Sequence, residues 1–457
     1  MKRAPAAERL GKGSRPPYVA TAVVLGSAVV VSHFVSAAHA SFPSSIPPAF
    51  LKWQPAIGPE VIVPAALIVA GLVALPRVLS LRTWLFLAVT VAFVWALSVT
   101  LAIQAGRAGT FHGCCEPGYG TALTRPLERP NDYLVNVRLV RKVGPQWFDQ
   151  QYPFLIRPVK GRLSLRAQTH PPGAILLLWL LTGMTHSAVA TSLITILIGA
   201  AGAIPTYWLA RGFHDERVAR CAVVLFAACP AVLLYTATSM DAVFMTVIAV
   251  AACAMVRAPR SDAWAAVAGG MVVAALLLTY AAAALAVVGV GVAVLTWRRG
   301  SWVRMVRRAA VAAVVFVAAV WAVQRYVGID LATCFRISSR IQREYAAYRG
   351  RPYWYWVVGS VVAFLISAGL VSSALFVRQT ADRWRARRPG FETVVWAVLV
   401  VSAAFGLVRG ETEHIWMFAL PMVAAAAAPV AWERLRVVSA AGGGQALVTQ
   451  VLFYANW

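Results

Sequence analysis

Charge is what this sequence has least of. Asp, Glu, Lys and Arg make up 13% of its 457 residues, about half the usual share in a soluble domain. That scarcity excludes an ordinary soluble globular enzyme. Carboxylates are scarcer than cations: 17 Asp and Glu stand against 42 Lys and Arg, a formal net charge of +25. No helix-turn-helix, RNP or zinc-finger pattern accompanies the excess, so nucleic acid is not the expected partner. Anionic headgroups at a membrane surface are. Cysteine is also sparse, and the six present (Cys114, Cys115, Cys221, Cys229, Cys253, Cys334) show no CxxC spacing. They read as packing residues rather than a metal site, with a disulfide open only to Cys114, Cys115 and Cys334.

Apolar runs are what the chain has in abundance. Hydrophobic residues make up 60% of it, and runs long enough to cross a bilayer recur from Tyr18 to the C-terminus between short Arg-rich connectors. The expected fold is an all-α polytopic membrane protein of about 12–13 transmembrane helices. One domain, residues 18–457, follows a basic cytoplasmic segment, residues 1–17. Tyr18 to Ala38 is read as a retained anchor, since it is longer than the core of a signal peptide. Further spans are expected at about 60–76, 83–105, 187–209, 221–238, 242–256, 263–279, 281–297, 309–326, 357–377, 391–408 and 416–432, with a weaker one at 443–457. With the N-terminus inside, each cytoplasmic connector is short and basic, from Arg77/Arg82 to Arg434/Arg436, as the positive-inside rule requires. The register holds if Pro171 to Met184, too short to span, is re-entrant or interfacial.

This map leaves two long polar segments outside. The first loop, 106–186 with the short apolar segment included, is expected to be partly helical; the second is 327–356. Most carboxylates gather there or at neighbouring helix mouths, and no charged residue is expected near the centre of a span. Ion-coupled transporters place ionisable groups near the midplane, so chemistry at the outer surface is the better expectation.

Several elements carry that chemistry. In Pro126-Leu-Glu128-Arg-Pro-Asn-Asp132-Tyr-Leu134, a carboxylate in a Pro-restricted loop suits a general base acting on an acceptor hydroxyl. The plainer alternative is a solvated carboxylate paired with Arg125, Arg129 or Arg138. His170, in Thr169-His-Pro-Pro-Gly173, opens a helix whose free amides suit an anion. It would contact a phosphate, orient a carboxylate, or serve as an interfacial hydrogen-bonding histidine. In Arg409-Gly-Glu411-Thr-Glu413-His414-Ile-Trp416, Arg409 and His414 suit a phosphate leaving group while Glu411 and Glu413 suit sugar hydroxyls; the alternative is a wetted hairpin anchored by Trp416. Asp241, after Tyr235-Thr-Ala-Thr-Ser-Met, starts a span on the same face and fits an N-cap equally well. Arg336 and Arg340 stand in a second loop that interleaves arginines with Tyr and Trp. That mixture suits a phosphorylated lipid and a sugar face, and also an aromatic belt.

Taken in order, Asp132-Tyr-Leu134, the His170-Pro-Pro-Gly173 turn, the Thr238-Ser-Met-Asp241 helix start and Gly410-Glu-Thr-Glu-His-Ile-Trp416 resemble the actinobacterial integral-membrane branch of the GT-C glycosyltransferases. That branch is related to protein mannosyltransferases and aminoarabinose transferases, and the resemblance covers most of the chain. It implies a GT-C-like bundle in the plasma membrane, an extracytoplasmic active site, and a polyprenyl-phosphate-linked sugar, mannose or arabinose, as donor. The implied acceptor is a hydroxyl of an envelope glycan, lipid or protein, glycosylated with inversion as polyprenyl phosphate leaves. By position Asp132 matches the family's first-loop catalytic carboxylate, with Glu128 the runner-up. His414 departs from the Arg that relatives carry in a Glu-Arg-Ile-Trp element, which shifts phosphate binding towards Arg409 and makes it pH-dependent. Some members hold a divalent metal between two acidic sites; Asp132 with Asp241 or Glu116 is the candidate pair, and no ligand spacing decides it. Two other classes stand beside the enzyme: a lipid flippase or transporter, and a noncatalytic scaffold for envelope assembly.

Overall fold

The computed structural model describes residues 18–38, 47–75, 80–107, 123–124, 127, 132–157, 163–297, 301–345 and 350–455. Glu116, Glu128, Arg125, Arg129, Cys114, Cys115 and the basic segment 1–17 lie outside them. Most of the described backbone is helical, as it must be where no water is at hand to satisfy N–H and C=O groups. Among the described residues the regular exception is a two-stranded antiparallel ribbon, Leu51–Trp53 against Phe453–Ala455, with Leu51 opposite Ala455.

Among the described residues, six helical stretches are long and apolar enough to cross a bilayer: Leu81–Leu101, Ala188–Arg211, Asp241–Arg260, Tyr280–Trp297, Trp302–Val327 and Thr412–Leu452. The chain is a multi-pass membrane protein of the expected all-α kind, but its crossings are less uniform than expected. Where one span was expected at 357–377, Tyr353–Ser367 and Leu370–Arg385 meet at 114°. Gly369 turns that corner at φ +100, a conformation open to a residue without a Cβ. The expected span at 221–238 is divided into Glu216–Ala227 and Pro230–Tyr235, because Pro230 has no N–H to continue the helical ladder. The expected anchor Tyr18–Ala38 is a single helix of 21 residues. Apolar helices of fewer than 18 residues stand at Pro59–Ala74, Asp262–Leu278 and Phe391–Phe405, close to the spans expected there, and at Gly173–Thr185, where none was.

Small residues set how closely these helices approach. A Cβ on Gly199 would lie 2.8 Å from the Ala242 Cβ, and one on Gly442 would lie 2.5 Å from the Ala228 carbonyl oxygen. Asp241 opens its helix beside Ala242, so it sits roughly 16 Å along the Ala188–Arg211 span from its Ala188 end, at 1.5 Å per residue.

The interior has two main apolar clusters. The larger fills the space between the spans. The smaller belongs to the first loop: Tyr133, Val137, Val140, Phe148, Tyr152 and Ile156 pack on Ala174, Ile175 and Leu178 and against Met240, Val243 and Phe244. The first loop is therefore a folded helical cap, with helices Val137–Val143 and Pro145–Leu155, seated on the end of the span that begins at Asp241. Cys221, Cys229, Cys253 and Cys334 are buried free thiols, the packing role expected of them.

Candidate functional site

The cap delivers Asp132. Its Oδ1 accepts the Tyr133 N–H at 2.9 Å, and its carbonyl accepts Asn136 Nδ2 at 3.1 Å. Asn136 also exchanges two bonds with Ser164, through Nδ2 to Ser164 Oγ at 2.7 Å and from Ser164 N to Oδ1 at 3.0 Å. Ser164 in turn caps the one-turn helix Leu165–Gln168. This chain of bonds brings Arg166 to Asp132: guanidinium NH1 lies 3.4 Å from Oδ2, with the carboxylate buried. Arg138, a partner expected from proximity in sequence, is not the one used. Burial opposes the charge on Arg166, but Asp132 and Asp241 outweigh it and hold the guanidinium above its ordinary range.

The ends of the spans deliver the second half. Ser239 Oγ donates to Asp241 Oδ2 at 2.6 Å and accepts the Asp241 N–H at 3.2 Å. Asp241 occupies the first turn of its helix, and Met240 holds the cap position without a side-chain bond; the N-cap alternative does not apply. The same Oδ2 lies 2.7 Å from His414 Nδ1. His414 arrives on a sharp turn in which Gly410 has φ +91 and Glu411 φ +62, pinned where Thr412 Oγ1 donates to the Ser360 carbonyl at 2.9 Å. Glu411 Oε2 stands 4.0 Å from His414 Nε2, and its Oε1 stands 3.3 Å from Arg351. Arg351 also donates to the Arg409 carbonyl at 2.6 Å while Arg409 donates back to the Arg351 carbonyl at 3.0 Å.

Contacts thus gather Asp132 with Arg166, and Asp241, His414, Glu411 and Arg409 with Arg351, while Arg166 lies near enough to feel the charge of Asp241. The others behave differently. His170 Nδ1 donates to the Arg166 carbonyl at 2.9 Å, and its ring sits edge-on to Tyr133 and stacked on Phe244. Burial pushes its pKa down, which favours the neutral imidazole. Glu413 is 1% exposed, and its Oε1 accepts the Phe50 N–H at 3.0 Å. It ties the 47–53 segment to the Gly410 turn, whereas Glu411 is half-buried. Arg336 and Arg340 are exposed on the helix Leu331–Glu344, and no hydrogen bond or ion pair among the described residues joins them to the cluster.

Arg166 is the residue the sequence reading missed. Its signal was the i, i+4 spacing in Arg166-Ala-Gln-Thr-His170, one helical turn ahead of a histidine already singled out. Glu116, one of the candidate metal ligands, lies outside the described residues. Among the described residues no group of three His, Cys, Asp or Glu side chains could hold a metal ion, and Asp132 and Asp241 are each engaged by a basic side chain.

No protein-family model matches the chain, and none of the curated proteins matches it. An oligosaccharyltransferase from Archaeoglobus fulgidus, solved in complex with zinc and sulfate, is similar at TM-score 0.40 and 14% identity, over 79% of this chain and 53% of its own. The chain spans about half the length of that protein, and a likeness this slight carries no argument about chemistry.

Proposed function

We propose that this protein is a GT-C-type glycosyltransferase of the plasma membrane, with its N-terminus cytoplasmic and its active site on the outer face. The donor is a polyprenyl-phosphate-linked sugar, mannose or arabinose, and the acceptor a hydroxyl of an envelope glycan, lipid or protein. The observation that carries this reading is that a buried Asp132–Arg166 ion pair and a buried Asp241–His414 hydrogen bond lie close enough for Arg166 to feel the charge of Asp241, where a folded cap sits on the ends of the spans. A lipid-linked donor needs a site of this kind, open to a bilayer and rich in hydrogen-bond donors where charge develops on the leaving group.

In this reading Asp132 takes the proton of the acceptor hydroxyl as its oxygen attacks the anomeric carbon. The bond from that carbon to the phosphate oxygen breaks, the configuration inverts, and polyprenyl phosphate departs with both bonding electrons. The donor's phosphodiester offers Arg166 a competing anion, so substrate binding frees Asp132 to meet the hydroxyl. Arg166 then stands beside the charge that grows on the leaving phosphate. Glu411 accepts from sugar hydroxyls, and the Asp241–His414 pair holds the floor of the site.

The test is sugar transfer by purified protein in lipid nanodiscs, with labelled mannosyl and arabinosyl polyprenyl phosphates and crude envelope acceptor, comparing wild type with Asp132→Asn. Release of polyprenyl phosphate by wild type alone is the expected result. Equal turnover by both proteins would remove Asp132 as the base and move attention to Glu128. Silence from folded wild type with both donors would sink the transferase reading in favour of a scaffold.

A further inference from the structure

The hairpin formed by Gly173–Thr185 and Ala188–Ala200 turns at His186 and Ser187, and beside that turn lies a cavity of about 550 Å³ that the proposed reaction does not use. Arg138 and Arg141 enter it from the cap helix Val137–Val143, at the i, i+3 spacing that puts both on one face. Thr182, Gly183, His186 and Ser187 line the opposite wall. No carboxylate among the described lining residues balances the two guanidinium groups. Ser187 Oγ accepts the Ala190 N–H at 3.3 Å, which leaves its own proton to donate. Apolar side chains share the lining, Leu134, Val135 and Val137, and the same hairpin exposes Leu180, Met184 and Val189. Cationic donors above an apolar skirt, at the rim of a membrane protein, suit a phosphate that arrives with acyl chains attached.

We infer that this cavity is a second anion site, separate from the Asp132 cluster, which takes the phosphate group of an anionic membrane lipid. Its Thr182–Ser187 wall stands at the far end of the helix Gly173–Thr185, roughly 20 Å long, from the Gly173 end that follows His170. The lipid's chains lie along the hairpin, and its headgroup braces the helix that follows directly on Asp132.

The experiment is native mass spectrometry of the full chain in detergent, titrated with dioctanoyl phosphatidylglycerol, dioctanoyl phosphatidylcholine and inorganic phosphate. Wild type should hold one phosphatidylglycerol tightly, and the double variant Arg138→Gln/Arg141→Gln should weaken that binding about 30-fold, two basic contacts' worth at a membrane surface. Gly183→Leu is the second variant. A Cβ there meets nothing within 4 Å, so the side chain enters the cavity without removing charge, and it should also displace the lipid. Phosphatidylglycerol affinity within about twofold of wild type in both variants would overturn the site. Phosphatidylcholine bound as tightly and lost in parallel would overturn its preference for an anion. Inorganic phosphate bound as tightly and lost in parallel would keep the anion site and overturn its assignment to a lipid.

Discussion

The two carboxylates at the centre of this molecule are held in different ways. Asp132 belongs to the cap, where Tyr133, Asn136 and Arg166 are partners among the described residues. Asp241 belongs to the spans, where a helix start, Ser239 and the Gly410 turn converge on one oxygen. The first is paired with a guanidinium at 3.4 Å and the second with an imidazole at 2.7 Å. A carboxylate that must change partners during a reaction belongs on the unit that can shift by small cap movements. One that must stay fixed belongs on packed helices. In the proposed reaction the site divides into a working half and a supporting half, and each half is expected to fail in its own way when altered.

The largest effect should fall on the working half. Asp132→Asn should lower kcat for sugar transfer by about 100- to 10,000-fold, the range general-base catalysis supplies, with the melting temperature nearly unchanged. A comparable loss from Asp241→Asn with unchanged stability would erase the distinction, because both carboxylates would then be acting on substrate. On the supporting half the cost should appear as stability. Asp241→Ala or His414→Ala leaves a buried polar partner behind, at about 3 kcal/mol. The double variant should be less destabilised than the sum by about 1–3 kcal/mol, read from thermal unfolding in detergent. Simple additivity would mean that the 2.7 Å contact carries no coupling.

Much of this division was legible in the sequence. Long apolar runs announced the spans, and the scarcity of carboxylates made Asp132, Asp241 and Glu411 conspicuous. Two kinds of information were hidden. The bend at Gly369 and the break at Pro230 are local exceptions inside windows whose average hydropathy looks continuous. Ion-pair partners are set by tertiary contact: Asp132 chose Arg166 across the Asn136–Ser164 bonds over Arg138, which lies nearer in sequence. His170 and Glu413 show the same limit from the other side, since nothing in their motifs distinguishes a buried positioning group from a ligand.

A smaller effect separates the two halves by pH. Asp149 lies in the cap helix Pro145–Leu155, 3% exposed, with no hydrogen-bond partner for Oδ1 among the described residues. Tyr152 and Cys334 are the ionisable groups that feel its charge. Burial pushes its pKa from 3.8 up to about 7. A carboxyl whose folded pKa is raised binds its proton more tightly in the native state, so its contribution is complete below 3.8 and is lost as pH rises through about 7. The melting temperature should therefore fall between pH 5 and pH 8, and Asp149→Asn should flatten that slope. A slope that survives in Asp149→Asn would place the titrating group outside the cap.

The smallest effect is expected from the second loop. Arg336 and Arg340 project from a helix whose buried face, Cys334, Ser338 and Ile341, packs towards the cap. They are exposed, and exposed side chains away from special contacts usually change stability by within about 0.5 kcal/mol. Arg336→Gln/Arg340→Gln should leave kcat/KM within about twofold of wild type, because the cation facing the donor phosphate is Arg166, held in place by the cap. A tenfold rise in KM for the lipid-linked donor with kcat unchanged would show uniform binding energy lost from the second loop. That outcome would move the donor's phosphate out from under the cap and unseat Arg166 from the part proposed for it.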